Sequence, residues 1–128
     1  MAAFVHGTGC GMADSGDGFE ALQRVMWGYA KHPNHAGVLM VGLGCEMNQI
    51  DWLLEAYGLK QSETFQTMNI QKVAGLRQTV ELGIAKIKAM LPIANQARRE
   101  QCPASDLVVA LQCGGSDAWS GVTANPAL

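Results

Sequence analysis

Charge of either sign is scarce in this sequence: Lys, Arg, Asp and Glu together make up 16% of 128 residues and leave a formal net charge of −2. That balance gives no electrostatic case for binding nucleic acid or an anionic membrane surface. Aromatic residues are few, and Trp27, Trp52 and Trp119 do not sit in basic stretches, so no platform for stacking bases is offered. No apolar run approaches the roughly 20 residues of a membrane span. The opening MAAFVHGTGC lacks both the basic segment and the long apolar segment of a signal peptide. C-x-x-C pairs and a Walker A lysine are missing, and GTGCGM and GLGCEM lack the third glycine of a dinucleotide-binding loop. Redox-motif, P-loop and Rossmann-cofactor readings are thereby set aside. Four cysteines without an export signal read as reduced thiols of a cytoplasmic protein.

What the chain does have is apolar content, 48% of its residues, enough for one globular α/β domain over 1–128. AFVH (Ala3 to His6) reads as the end of a strand. Phe19, Leu22, Met26 and Tyr29 recur at helical spacing up to a stop at His32-Pro33. GVLMVGLG (Gly37 to Gly44) is a continuous apolar run bounded by glycine, the pattern of a strand covered on both faces. NQIDWLLEAYG predicts a short helix with Gly58 as its C′ residue, and ETFQTMNIQ alternates like a strand. From Leu76 to Arg99, a seam of Leu76, Val80, Ile84, Ile87, Leu91 and Ala94 predicts a long helix, kinked at Pro92. DLVVALQC reads as a final strand. The alternation of strands and helices predicts a three-layer Rossmann-like domain, with a mainly parallel sheet of about four strands and helices on both faces. Met26 and Met90 read as core filler.

Polar residues follow each expected strand: HGTGCG, then CEMNQ, then IQ, then CGGSD. In a parallel sheet these carboxyl ends share one edge, where open α/β sheets bind their ligands. His6, Cys10, Cys45, Glu46, Gln71, Cys113 and Asp117 are thus expected at one crevice, with Cys102 at the opposite edge. Each has a plainer reading alone. A cysteine beside a strand is commonly a packing residue, Glu46 could serve a helix N-terminus, and Ser116 and Asp117 could cap a turn. Gly114 and Gly115 suit a backbone nest for an anion such as a carboxylate.

HGTGCG, HPNHAGVLMVGLGCE and LQCGGSDAWSGVTANPAL together closely resemble the altronate and galactarate dehydratase family, over essentially the whole chain. The resemblance implies a hydro-lyase that dehydrates a sugar acid to a 2-keto-3-deoxy acid with iron or manganese. Family members carry an N-terminal domain and a C-terminal portion that this chain lacks. It therefore reads as a central segment, expected to be inactive or weakly active in isolation. Gly7 before Thr8 departs from the aromatic residue or serine common at that place in the family.

Dehydration of such an acid needs a base, an acid and stabilisation of an enediolate. His6, Glu46 and Asp117 are the candidate catalytic residues. Gly114, Gly115, Ser116, Gln71 and Asn125 are the candidates for binding substrate. Cys10, Cys45 and Cys113 are candidate ligands, alongside His6, Glu46 and Asp117, for a divalent metal, Fe²⁺ with Mn²⁺ as the second choice. An iron–sulfur cluster on the three thiols is the alternative cofactor. A non-catalytic assembly module with the family fold is the alternative function. The expected partners are a sugar acid, the remaining segments of the full-length enzyme and a second copy in a homodimer, with Trp52, Leu53 and Tyr57 as candidates for that contact.

Overall fold

A computed structural model describes residues 1–110 and 118–128 of the chain. They fall into two compact units, Met1–Ala97 and Arg98–Leu128. The first holds helix α1 (Asp17–Lys31), strand β1 (Val38–Gly42), helix α2 (Ile50–Ala56), strand β2 (Phe65–Asn69) and helix α3 (Leu76–Ala94). β1 and β2 pair in parallel, with Val38 opposite Phe65, Met40 opposite Thr67 and Gly42 opposite Asn69.

Side-chain alternation along the strands decides what covers the sheet. Met40 belongs to a buried cluster with Ile50 and the fully buried Leu53, against which Met26 and Ala30 of α1 and Phe65 of β2 also pack. Leu39 and Met68 point the other way, toward Gly83 of α3, and Lys86 of α3 donates to Gln66 Oε1 at 2.9 Å. Helical side chains therefore meet both faces of the strand pair. Burial of Leu53 removes it from any candidate intermolecular contact, whereas Trp52 is exposed.

Helix ends follow local chemistry. α1 carries Asp17 and Glu20 in its first turn and Lys31 in its last, matching the helix dipole. Its C-terminal end is closed by the His-Pro-Asn-His segment, where the His32 N–H and the His35 ring both bond the Tyr29 carbonyl. α2 ends in a Schellman arrangement: Leu59 N–H bonds the Leu54 carbonyl and Gly58 N–H the Glu55 carbonyl. Pro92 falls in the final turn of α3, which stops at Ala94 rather than continuing to Arg99.

Two expectations are corrected. The described residues form two strands, not about four. Ala3–His6 is irregular and exposed, and Leu107–Ala110 is likewise irregular and exposed, while Leu111–Cys113 lie outside the described residues. An apolar run becomes a strand only when a neighbouring strand pairs with its N–H and C=O groups, and among the described residues neither segment has one. The second correction concerns α3. Leu76, Val80, Ile84 and Leu91 of the expected seam face solvent, and the buried positions are Thr79 and Met90. Gly83 lies beside Leu39 and Met68, Lys86 reaches Gln66, and Met90 packs against Gly37 just before β1.

The described residues of the second unit form short turns, 3-10 segments at Ala104–Asp106 and Ala118–Gly121 and a single helical turn α4 (Ala124–Ala127). Thr123 Oγ1 donates to the Trp119 carbonyl at 3.0 Å between the last two.

Candidate functional site

Because β1 and β2 run in parallel, the loops after Gly42 and Asn69 leave the same edge of the sheet. They are tied directly: Gln71 N–H bonds the Leu43 carbonyl at 3.0 Å. The loop after β1 is organised by Glu46, which is buried and accepts Leu43 N–H at 2.9 Å on Oε1 and Gly44 N–H on Oε2. The turn this requires holds Gly44 at φ +112°, a conformation that side-chain-bearing residues rarely adopt. Gly42 is equally constrained. A methyl group there would collide with Glu46 Oε1 and lie 2.6 Å from Asn69 Oδ1 and 2.8 Å from Ile50 Cδ1. Beneath the loop, Gln49 Nε2 donates to the Glu46 carbonyl at 2.6 Å. The buried pair Gln23 and Asn48, joined at 3.1 Å, braces the loop against α1.

Upon this base sit the thiols. Cys10 arrives from the N-terminal loop, which is anchored by Met47 N–H on the Gly9 carbonyl at 3.5 Å. Its Sγ lies 3.5 Å from Cys45 Sγ, and Gln71 Nε2 donates to Cys45 Sγ at 3.0 Å. Both cysteines are exposed and free. The Cys10 thiol is held above its ordinary pKa, first by its hydrogen bond to Cys45, then by desolvation and by the nearby Cys45 and Glu46 charges. His6 is exposed, with Nδ1 2.7 Å from Thr8 Oγ1.

Cys10, Cys45, Glu46 and Gln71 therefore come together at the carboxyl edge. His6 stands on the same loop as Cys10, bonded within it. Asn125 lies in α4 of the second unit, its carbonyl accepting Leu128 N–H, and Cys102 also belongs to that unit. Cys113, Gly114, Gly115, Ser116 and Asp117 lie outside the described residues. One neighbour that sequence reasoning missed is Asn69. It is polar, ends β2 and faces Gly42 in the register. A polar residue closing an otherwise mixed strand was a visible signal, but its alignment with Gly42 was not.

Among the described residues no group of three or more His, Cys, Asp or Glu side chains converges to hold a metal ion. The donors that do meet are two thiols, softer than Fe²⁺ or Mn²⁺ favours. Two of the roughly four lone-pair positions of Glu46 are already taken by backbone N–H groups. By themselves these residues do not fit a divalent iron or manganese site.

Residues 1–95 match the family model described as D-galactarate dehydratase/Altronate hydrolase, second domain. Residues 104–128 match D-galactarate/Altronate dehydratase, C-terminal. The gap between the two matches contains the boundary of the two compact units. An altronate dehydratase of Bacillus subtilis (strain 168) is 36% identical over 96% of the chain and 24% of its own length. A galactarate dehydratase (L-threo-forming) of Escherichia coli (strain K12) is 41% identical over 82% of the chain and 21% of its length. An altronate dehydratase of the same strain is 34% identical over 98% of the chain and 24% of its length. The chain thus spans about a quarter of the length of these curated relatives. No solved structure matches it significantly. Among the described residues no helix is long and apolar enough to cross a membrane.

Proposed function

The chain belongs to the D-galactarate dehydratase/altronate hydrolase family, and on that premise we propose that it supplies one wall of a sugar-acid dehydratase site. The observation that carries this reading is the meeting of Cys10, Cys45, Glu46 and Gln71 at the carboxyl edge of a parallel strand pair. Polar groups gathered at that edge are where an open α/β sheet takes its ligand.

The reaction removes the proton at C2 of a 2,3-dihydroxy acid and expels the C3 hydroxyl as water. The resulting enol then ketonises to a 2-keto-3-deoxy acid. His6 is the proposed base, an exposed imidazole on the loop that carries Cys10. Asp117 is the proposed acid for the departing hydroxyl. Gln71 holds Cys45 with one amide hydrogen and has a second to offer a sugar-acid oxygen. The backbone of Gly114, Gly115 and Ser116, with the Asn125 amide, is proposed to hold the substrate carboxylate. Glu46 is assigned the role of fixing the loop on which Cys45 stands. A divalent iron or manganese ion, or a cluster on Cys10, Cys45 and Cys113, requires ligands beyond the donors described above. In the whole protein such a centre would stabilise the enediolate charge.

A chimera tests the reading. This chain replaces the matching segment of the Bacillus subtilis altronate dehydratase, and 2-keto-3-deoxy acid formation from altronate is followed colorimetrically. The expected result is turnover that His6→Ala abolishes. A soluble chimera with native-like circular dichroism but no turnover would refute the catalytic reading and favour an assembly module.

A further inference from the structure

We propose that Cys10 and Cys45 form an oxidisable dithiol, which a hydroperoxide closes into an intramolecular disulfide across the sheet edge. The two sulfurs already lie 3.5 Å apart, although 35 positions separate them in sequence. Closing to a bonded separation requires a further approach of about 1.5 Å. Both thiols are exposed, so a small peroxide reaches them. The movement has an obvious source. Gly9 and Gly11 flank Cys10 with nothing within 4 Å of where a Cβ would stand, so the loop has room to shift. Cys45, by contrast, is held by Gln71 and by a loop that Glu46 locks. Cys45 is the fixed partner and Cys10 the mobile one.

The hydrogen bonds also order the chemistry. Cys45 Sγ accepts from Gln71 and lies 3.5 Å from the Cys10 sulfur, so the positioned sulfur is assigned the attack. Its thiolate attacks one peroxide oxygen. An S–O bond forms, the O–O bond breaks, and the departing oxygen takes a proton to leave as water or an alcohol. Cys45 is then a sulfenic acid. The Cys10 sulfur displaces that hydroxyl, forming the S–S bond, and its own proton leaves with the hydroxyl as water. The sum is two thiols and one hydroperoxide giving one disulfide, one alcohol (or water) and one water. Oxidation would withdraw both thiols from the candidate site, and the chemistry itself is independent of any dehydratase activity.

The test uses the reduced 128-residue chain, freed of reductant and treated with hydrogen peroxide in small excess. Remaining thiols are alkylated, and a non-reducing digest is mapped by mass spectrometry. The expected product links the Cys10 and Cys45 peptides, is reversed by dithiothreitol, and accumulates about tenfold faster than any oxidation of Cys102. In Cys10→Ser, a dimedone-trapped sulfenic acid at Cys45 should replace the disulfide. Alkylation of Cys10 and Cys45 to the same extent as Cys102 after peroxide would overturn the proposal. So would linkage chiefly to Cys102, to Cys113 or between chains.

Discussion

Replacing Glu46 with alanine is expected to destabilise the first unit by about 2–4 kcal/mol. The figure follows from what the carboxylate holds. Its Oε1 and Oε2 accept the N–H groups of Leu43 and Gly44, and the residue is buried. Two hydrogen bonds to a charged acceptor are worth about 1.5–3 kcal/mol each, or roughly 3–6 kcal/mol together. Leu43 is 42% exposed, so water recovers part of that when the acceptor is removed. For a unit of this size, the remaining loss should lower the thermal midpoint by about 10–20 °C. Glu46→Gln keeps one carbonyl acceptor but sets an amide donor against the other N–H, so it should recover little of the alanine variant's loss. Urea unfolding followed by circular dichroism gives the energies. Hydrogen exchange at the Leu43 and Gly44 amides localises them, with faster exchange expected at those two positions first. An alanine variant within about 0.5 kcal/mol of the parent, with both amides equally protected, would show that Glu46 does not hold the loop.

Gly42→Ala places a methyl group against Glu46 and Asn69 and should cost about 1–3 kcal/mol in the same unfolding measurement, disturbing the Glu46 turn as well. Ile84→Lys on the exposed stripe of α3 should leave stability within about 0.5 kcal/mol, whereas Met90→Ala on its buried stripe should cost about 2–5 kcal/mol. Equal losses would restore the hydrophobic seam as the packing face. The raised Cys10 pKa means that its thiolate appears only at higher pH than that of an ordinary thiol. Its alkylation rate should therefore rise late with pH. Cys45→Ala, which removes the main cause, should move that rise to lower pH, and an unchanged profile would contradict the assignment.

Strand polarity was the most informative feature of the sequence. The glycine-bounded run Gly37–Gly44 and the alternating run around Phe65–Asn69 became β1 and β2, and their parallel pairing brought Cys45 and Gln71 to one edge. Cys10 joined them even though Ala3–His6 did not form the expected strand. Its position depends on a backbone bond to Met47, which no local pattern reveals. Strand formation itself was less legible, because Leu107–Ala110 has the right composition but no paired neighbour among the described residues. The inward face of α3 was also hidden. Apolar periodicity pointed to Leu76, Val80, Ile84 and Leu91, whereas Thr79 and Met90 are the buried positions and Gly83 meets Leu39 and Met68 of the sheet. Glu46 was recognisable as a site-edge carboxylate, whereas its grip on Leu43 and Gly44 depends on the turn geometry at Gly44. Cys113 to Asp117 lie outside the described residues.

The claim that the edge shared by Cys10, Cys45, Glu46 and Gln71 is a sugar-acid site is tested most directly by mapping ligand contact on the chain itself. Amide chemical shifts of the isotope-labelled chain would be followed during titration with altronate and galactarate, with glucose as a control lacking a carboxylate. Shifts are expected for the two acids, and not for glucose, centred on Gly9–Gly11, Leu43–Glu46 and Ile70–Gln71. Shifts centred instead on the cleft lined by Asp51, Gln61, Lys72 and Lys86, or an identical response to glucose, would contradict it.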